Sequence, residues 1–539
     1  MTDPDQFLYS FVFELGKFYP LAVSLLGGRF FSSYGPLLPV YSADVIDSYK
    51  GFLQDNLTKA NSLISDSSNE STTKFIRWII NYIEYELVNY NYRNIHLYAF
   101  SAHTLMSTFS QVLDHLFTDP LFLEFSTPEK LIQCFFSKNN NLISFLTDIQ
   151  EKISSLPYYF LLELSYLCDS ISLLYINFES SEPGSMIQNQ NDYFSLKEKN
   201  LAFCESLLTN ITTLLENYSF PDLDPSVRKD IFMKSLEYNL KFSLDNFDNK
   251  ILTISNKIIF TRKNMLEIFN LPLDDKTSIE KIFKNALKTK ISSDDILAYT
   301  QQYWQDLNTT FSGYSTKFMS QDLVIDFLTT SQSKLVHKPV YVSSQRTKRG
   351  SPAKLLLTKE SLIIGPLFYN ILTEIIPFHS IMEINNSVSF VHQVLLVPET
   401  VEGIQLFLAS LYLETNFENS LEISSYIFIQ INNLLQLALV DVECFQQNIS
   451  NHSYLSDVIQ KRTTINDLSV EIAIQKLQLI PGYYFSVFAI FSSLQDQFTT
   501  LKDKLSFELA FEKLFQFITD YYGAPLQLFL QELEKIKEE

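Results

Sequence analysis

The chain is poor in the features that announce an enzyme, a membrane span or a disulfide scaffold. Only four cysteines occur in 539 residues. Cys134, Cys168, Cys204 and Cys444 stand far apart and form no C-x-x-C pair, which excludes a paired-cysteine metal site and a dense disulfide framework. They are expected to be reduced, buried small hydrophobes of a cytosolic protein. No charge-free run of about 18 apolar residues appears, and the start Met1-Thr2-Asp3-Pro4-Asp5 lacks the basic stretch of a secretory signal. No transmembrane segment is therefore expected, and the location is read as cytoplasmic, with peripheral membrane contact left open. H-E-x-x-H, G-x-S-x-G and Walker sequences are missing as well, so no catalytic residue, metal ligand or cofactor is assigned. Positive charge is short overall, and the formal net charge of -20 argues against a nucleic-acid partner, because phosphates would find little to neutralise them.

What the chain does have is apolar bulk. Its length implies two to four domains, and a hydrophobic content of 46%, with 46 Phe and 29 Tyr, is ample for burial. Much of it follows helical spacing. Phe75, Trp78, Ile79 and Tyr82 form an aromatic stripe, and Leu201, Cys204, Leu207, Leu208 and Ile211 share one face of a helix over 196–215. Further helices are predicted over 95–117, 128–135, 142–153, 158–174, 225–240, 278–287, 293–307, 321–328, 468–479, 484–498 and 505–538. The stretch 250–260 fits a strand or a helix. Segment 179–192 reads as a linker or exposed loop. No repeat of about 34 or 40 residues aligns, which points to an irregular helical bundle or solenoid.

Residues that could suggest chemistry have simpler readings. His96 and His103 lie on one helix face but have no acidic or third ligand at metal-site spacing. Gly27-Gly28-Arg29 lacks the Lys-Ser/Thr of a phosphate loop. The pairs Asp274-Asp275 and Asp294-Asp295 stand at expected helix starts, where carboxylates favour exposed amide groups, so they read as caps.

Between Lys338 and Leu413 the texture changes. Extended runs at 338–344, 353–358, 361–365, 373–378, 381–384, 394–398 and 403–408 are separated by turn-prone residues, the pattern of a small barrel or sandwich. The segment Lys354-Leu-Leu-Leu-Thr358-x-x-x-Leu362-Ile-Ile, followed by Ile376-Pro377-x-x-x-Ile381-x-x-Ile384, resembles the opening of the GRAM branch of the PH-like family, over about 80 of the 539 residues. This resemblance implies a β-barrel closed by one helix. The long apolar span 419–442, with Phe428, Ile431, Leu434, Leu435 and Leu439 on a broad face, is expected to be that helix. The predicted fold is thus mainly α, an irregular helical bundle or solenoid with an inserted PH/GRAM-like β-barrel and a helical C-terminal tail. Its expected divisions are 1–178, 193–330, 336–442 and 460–539.

Charge is partitioned around the same place. Lys334, Lys338, Arg346, Lys348, Arg349, Lys354 and Lys359 occur between Phe327 and Lys359 with no acidic residue, whereas Glu360 to Gln460 holds 11 acidic residues and no Lys or Arg. If the first two strands form a hairpin, Arg346, Lys348 and Arg349 lie at its tip, with Lys338 and Lys354 nearer its base. In the PH fold that loop carries basic residues that meet phosphoinositide phosphates. The resemblance therefore implies Lys338, Arg346, Lys348, Arg349, Lys354 and Lys359 as a lipid-binding set for an anionic phospholipid or phosphoinositide. Such a cluster is drawn to an anionic leaflet in any case, and an acidic protein surface is the competing partner. The expected function is that of a non-catalytic peripheral membrane adaptor in trafficking or signalling. The alternatives are a regulator of a small GTPase, which would place an exchange or activating domain beside a PH-like module, and a structural subunit of a stable complex.

Overall fold

In the computed structural model, the described residues are 4–18, 43–64, 70–92, 191–217, 225–241, 247–272, 276–292, 295–312, 323–327, 340–342, 353–357, 363–375, 394–416, 420–449 and 451–536, with single positions 147, 150, 161, 165, 168, 175, 176, 179 and 391. Helices make up nearly all of them. At the N-terminal end are α1 (Pro4–Leu15), α2 (Ala43–Ile64) and α3 (Glu70–Tyr92). Next come α4 (Asn191–Glu216), α5 (Pro225–Leu240), α6 (Phe247–Ile268), α7 (Lys276–Ala286) and α8 (Ile296–Ser312). Three short strands follow, β1 (Leu323–Phe327), β2 (Val340–Val342) and β3 (Ala353–Leu357). The C-terminal part is helical again: α9 (Ile364–Asn370), running into a π-helical turn at Ile371–Ile375, then α10 (Pro398–Asn416), α11 (Leu421–Gln447) and α12 (His452–Arg462). Helices α13 (Asp467–Leu479), α14 (Tyr483–Lys502), α15 (Phe507–Tyr521) and α16 (Leu526–Lys535) complete it.

Local chemistry explains several of these starts. Ser420, Asn451, Asn466 and Ser506 each precede a helix and accept a hydrogen bond from a backbone N–H of its first turn, the arrangement that satisfies otherwise orphaned donors. Before α8 it is Ser292 whose Oγ accepts from the Asp295 N–H, while the Asp295 carboxylate accepts from the Ser292 hydroxyl rather than from the backbone amide expected of it. Asp274, Asp275 and Asp294 lie outside the described residues.

Helix α11 is the axis of the C-terminal part. It packs against α5, α6, α7, α9, α10, α12 and α14. Among the described residues it is the one single helix long and apolar enough to cross a membrane, yet most of its surface is covered by these neighbours, as expected of a core helix. Several of its buried polar groups meet partners from other parts of the chain. Arg262 of α6 donates to Asn432 Oδ1 at 3.0 Å and lies against Gln436, while Asn433 accepts from the Thr464 N–H. Near its C-terminal end Asp441, fully buried, accepts from Arg228 Nη2 of α5 at 3.3 Å and from the N–H groups of Gly482 and Phe485 at 3.1 and 3.4 Å. Arg228 Nε also donates to the Leu477 carbonyl, so one buried ion pair joins α5, α11, the end of α13 and the start of α14.

The β-barrel expectation is overturned. The sheet has three strands in the order β1-β3-β2, with β3 parallel to β1 and antiparallel to β2, and it does not close. Of the runs read as strands, 340–342 and 353–357 lie in it, but 364–370 is helix α9, 371–375 is a π turn and 403–408 is the middle of α10. Residues 376–390, including 381–384, lie outside the described ones. The physical reason is burial on all sides: Ile404, Leu406, Phe407, Leu408, Ala409, Leu411 and Leu413 are all buried. A helix in that position shows no polar face, and a short apolar run of it cannot be told from a buried strand by periodicity. Helix α11 therefore forms the core of a bundle rather than the lid of a barrel, and 323–327, expected as helix, is β1. With the barrel go the PH/GRAM identification, the lipid-binding module, the peripheral adaptor built on it and the GTPase-regulator and structural-subunit alternatives offered beside it. The architecture is an almost wholly α-helical bundle carrying one small open sheet.

The acidic stretch 360–460 is explained by the same packing. Glu402 pairs with Lys476 at 2.9 Å and accepts from Tyr483 Oη, Glu443 pairs with Arg462 at 2.7 Å, and Asp441 pairs with Arg228. Glu399 and Glu422 accept from Tyr85 and Thr289. The cations missing from the segment itself arrive from parts of the chain before and after it.

Candidate functional site

The side-chain constellation best suited to a ligand lies where α6, α10 and α14 meet. Helices α10 and α14 make an extensive interface, and at one point nearly touch: a Cβ on Gly403 would lie 2.6 Å from Ile490 Cγ2 and 3.0 Å from the Val487 carbonyl. Only glycine fits there without one helix moving. Further along, the last two turns of these helices and the last turns of α6 border a groove of about 330 Å³. Met265, Phe407, Leu411 and Phe498 supply its apolar lining, and Phe407 and Phe498 meet edge to face at 6.0 Å. Phe260 and Ile268 on the α6 side remain exposed, as apolar residues beside a solvent-open groove.

Charged groups are spaced around that lining. Lys257 of α6 is ion-paired with Asp496 of α14 across one edge. Lys502, in the last turn of α14 where the helix dipole favours a cation, lies over the rings of Phe498 and Phe507 at 5.3 and 5.7 Å. Among the described residues it makes no ion pair at contact distance. Glu414 of α10 also borders the groove, and the protein around its carboxyl thins its hydration and raises its pKa above 4.5, against the pull of Lys502. Glu414 as a whole is exposed, so the effect on stability is small. Lys257 is taken up by Asp496, so Lys502, set over its aromatic rings, is the cation the groove offers to a guest.

A second groove, of about 500 Å³, lies between α3, α5 and the start of α16. Burial raises the pKa of its Glu84, opposed by Lys241, and Glu237 is a second carboxylate beside them. Two acids against one lysine leave it no excess of positive charge.

Of the six residues expected to form a lipid site, Lys354 is described. It sits half-buried on the central strand β3, with Val324 and Val342 as its register partners. Lys338, Arg346, Lys348, Arg349 and Lys359 lie outside the described residues, as do His96 and His103. Among the described residues no three His, Cys, Asp or Glu side chains are grouped to hold a metal ion. Lys257, Glu414 and Lys502 were not singled out by sequence, since they come from helices some 150 and 90 residues apart and each alone reads as a solvated charge.

No protein-family model and no curated protein sequence matches the chain. Its fold is similar to that of a candidate lipoprotein from Colwellia psychrerythraea, with a TM-score of 0.68 at 12% identity over 100% of both chains. It is also similar to a candidate lipoprotein of unknown function from Shewanella oneidensis, with a TM-score of 0.64 at 11% identity over 99% of this chain and 100% of that one. At these identities the likeness is one of fold.

Proposed function

We propose that this protein binds a small organic acid, an aryl or short alkyl carboxylate, in the groove between α6, α10 and α14. The observation that carries the reading is the placement of Lys502 over the rings of Phe498 and Phe507 at the edge of a groove lined by apolar and polar side chains together. A volume of about 330 Å³ stands at the small end of ligand sites, which span roughly 300–1,000 Å³. It suits a single ring or a short chain better than a large cofactor. The acid's apolar part would cover Met265, Leu411 and Phe407, and its carboxylate would take a charge-assisted hydrogen bond from Lys502. The two proteins that share the fold are described as candidate lipoproteins, a description that names no ligand, so the reading rests on the groove.

Three probes of equal size test it: phenylacetate, phenylacetamide and phenethylamine, titrated against the full chain by saturation-transfer NMR. Phenylacetate should bind and the amine should not. Lys502→Gln should weaken phenylacetate about tenfold, equivalent to ~1.4 kcal/mol. Equal binding of all three probes, or of acid to wild type and variant, would show that the groove does not select an anion.

A further inference from the structure

Helix α6 packs against α11 with one side, where Ile251, Ser255, Ile258, Arg262, Met265 and Leu266 are buried. Its other side carries Leu252, Ile259, Phe260 and Ile268, between 41% and 62% exposed. Among the described residues no other element has more than two large apolar side chains so exposed. Single exposed apolar residues are ordinary, whereas a cluster of them rimmed by polar groups marks an interaction surface. The order of residues on this face favours one occupant. Leu252, Asn256, Phe260, Asn264 and Ile268 follow at steps of four and all are exposed, so they form one ridge winding along the helix. Chemically the ridge reads the same from either end: aliphatic, amide, ring, amide, aliphatic.

We propose that this ridge is the interface of a two-fold homodimer, in which α6 of one copy crosses α6 of a second, antiparallel, at Phe260. A two-fold interface uses the same patch on both copies, so it brings together residues equally far before and after the one on its axis. Leu252 of each copy then lies over Ile268 of the other, Asn256 beside Asn264, and Phe260 against Phe260. Apolar meets apolar and amide meets amide. Ridges of residues four apart interdigitate when two helices cross at about 50°. Lys257 and Lys263 also fall opposite each other, which would repel if they were bare. Each already holds a carboxylate, Lys257 that of Asp496 and Lys263 that of Glu267 at 3.7 Å, so the charges there balance. An unrelated partner does not call for a palindromic ridge; a second copy does. Phe260, Asn264 and Ile268 also border the acid-binding groove, so the second copy stands beside its mouth, but the inference rests on the ridge and holds whether or not the groove takes an acid.

A single helix face is small beside the ~800 Å² per partner of a standard interface, so the mass of the full chain is followed by sedimentation equilibrium from about 1 to about 100 µM. Wild type should rise from 62.5 kDa toward twice that mass. Phe260→Glu puts two carboxylates together on the axis and should weaken association at least about 100-fold, with the circular dichroism unchanged because Phe260 is exposed. Single cysteines then read the register under a short bismaleimide, with wild type treated alike as the control. Phe260→Cys should link to itself, and Asn256→Cys should link to Asn264→Cys about tenfold more than to itself. A wild type that stays monomeric at the highest concentration overturns the proposal and leaves the ridge to a different protein. So does a dimer that Phe260→Glu leaves intact, or linkage of Asn256→Cys to itself as efficient as to Asn264→Cys. The wild-type mass and the cysteine register decide the matter even if Phe260→Glu does not fold.

Discussion

Replacing Asp441 by Leu, Arg228 by Met, and both together dissects the junction of α5, α11, α13 and α14. Asp441→Leu removes the acceptor for three donors and strands Arg228, whose side chain is 1% exposed and whose Nη1 already has no hydrogen-bond partner among the described residues. A buried charge deprived of its partner destabilises by about 3–5 kcal/mol, and this variant belongs at the upper end. Arg228→Met leaves Asp441 with the Gly482 and Phe485 N–H groups at the start of α14, a setting that suits a carboxylate, so about 3 kcal/mol is expected. In the double variant no charge is left unpaired. Its loss should fall below that of Asp441→Leu, to about 3 kcal/mol from the Gly482 and Phe485 N–H groups left without an acceptor, rather than the ~8 of simple addition, a coupling of about 5 kcal/mol between the sites. Urea unfolding followed by far-ultraviolet circular dichroism and by the fluorescence of Trp78 and Trp304, both buried, measures each loss. Single variants that lose less than about 1 kcal/mol, or a double variant that loses the full sum, would refute the reasoning that this pair joins the helices.

Gly403→Ala should destabilise by about 2 kcal/mol, seen as a lower urea midpoint, because the added methyl meets Ile490 and the α14 backbone inside van der Waals contact. Tyr85→Phe deletes the 2.7 Å hydrogen bond to the fully buried Glu399 and should lose about 2 kcal/mol in the same assay. Glu84 and Glu414 are both held above 4.5 in the folded chain, so over the window between the ordinary and the raised values the folded state binds more protons than the unfolded one. Stability contributed by their neutral forms is therefore lost as pH rises through that window, and the pair Glu84→Gln/Glu414→Gln should show a smaller fall in urea midpoint between about pH 4.5 and about pH 7 than the wild type.

Helices with one wet face were legible in the sequence. Phe75, Trp78, Ile79 and Tyr82 were read as one stripe and all are buried in α3, because polar residues between them set the period. Helix α10 failed that test, having almost no polar face, and the better signal was at its start: Pro398-Glu399-Thr400 places proline in the first turn with an acid behind it. Strand β1 shows the converse error. Leu323, Ile325 and Phe327 alternate with the exposed Val324 and Asp326, a period of two that was read as part of a helix. The groove could not be read from spacing. Lys257, Glu414 and Lys502 converge only because α6, α10 and α14 share a packing partner in α11. The absence of cations from 360–460 likewise reflected pairing with residues as distant as Arg228 and Lys476, which local charge counting cannot see.

The acid-binding claim is tested most directly by the methyl resonance of Met265, which borders the groove. The chain has seven methionines, so a spectrum of protein labelled at the methionine methyl carbon is simple, and Met265→Leu identifies the signal by its loss. Titration with phenylacetate should shift the Met265 methyl progressively to saturation while the other methionine signals hold still, and the shift should weaken in Lys502→Gln. A Met265 signal that stays in place at saturating acid, or that moves equally with phenethylamine, would contradict the account.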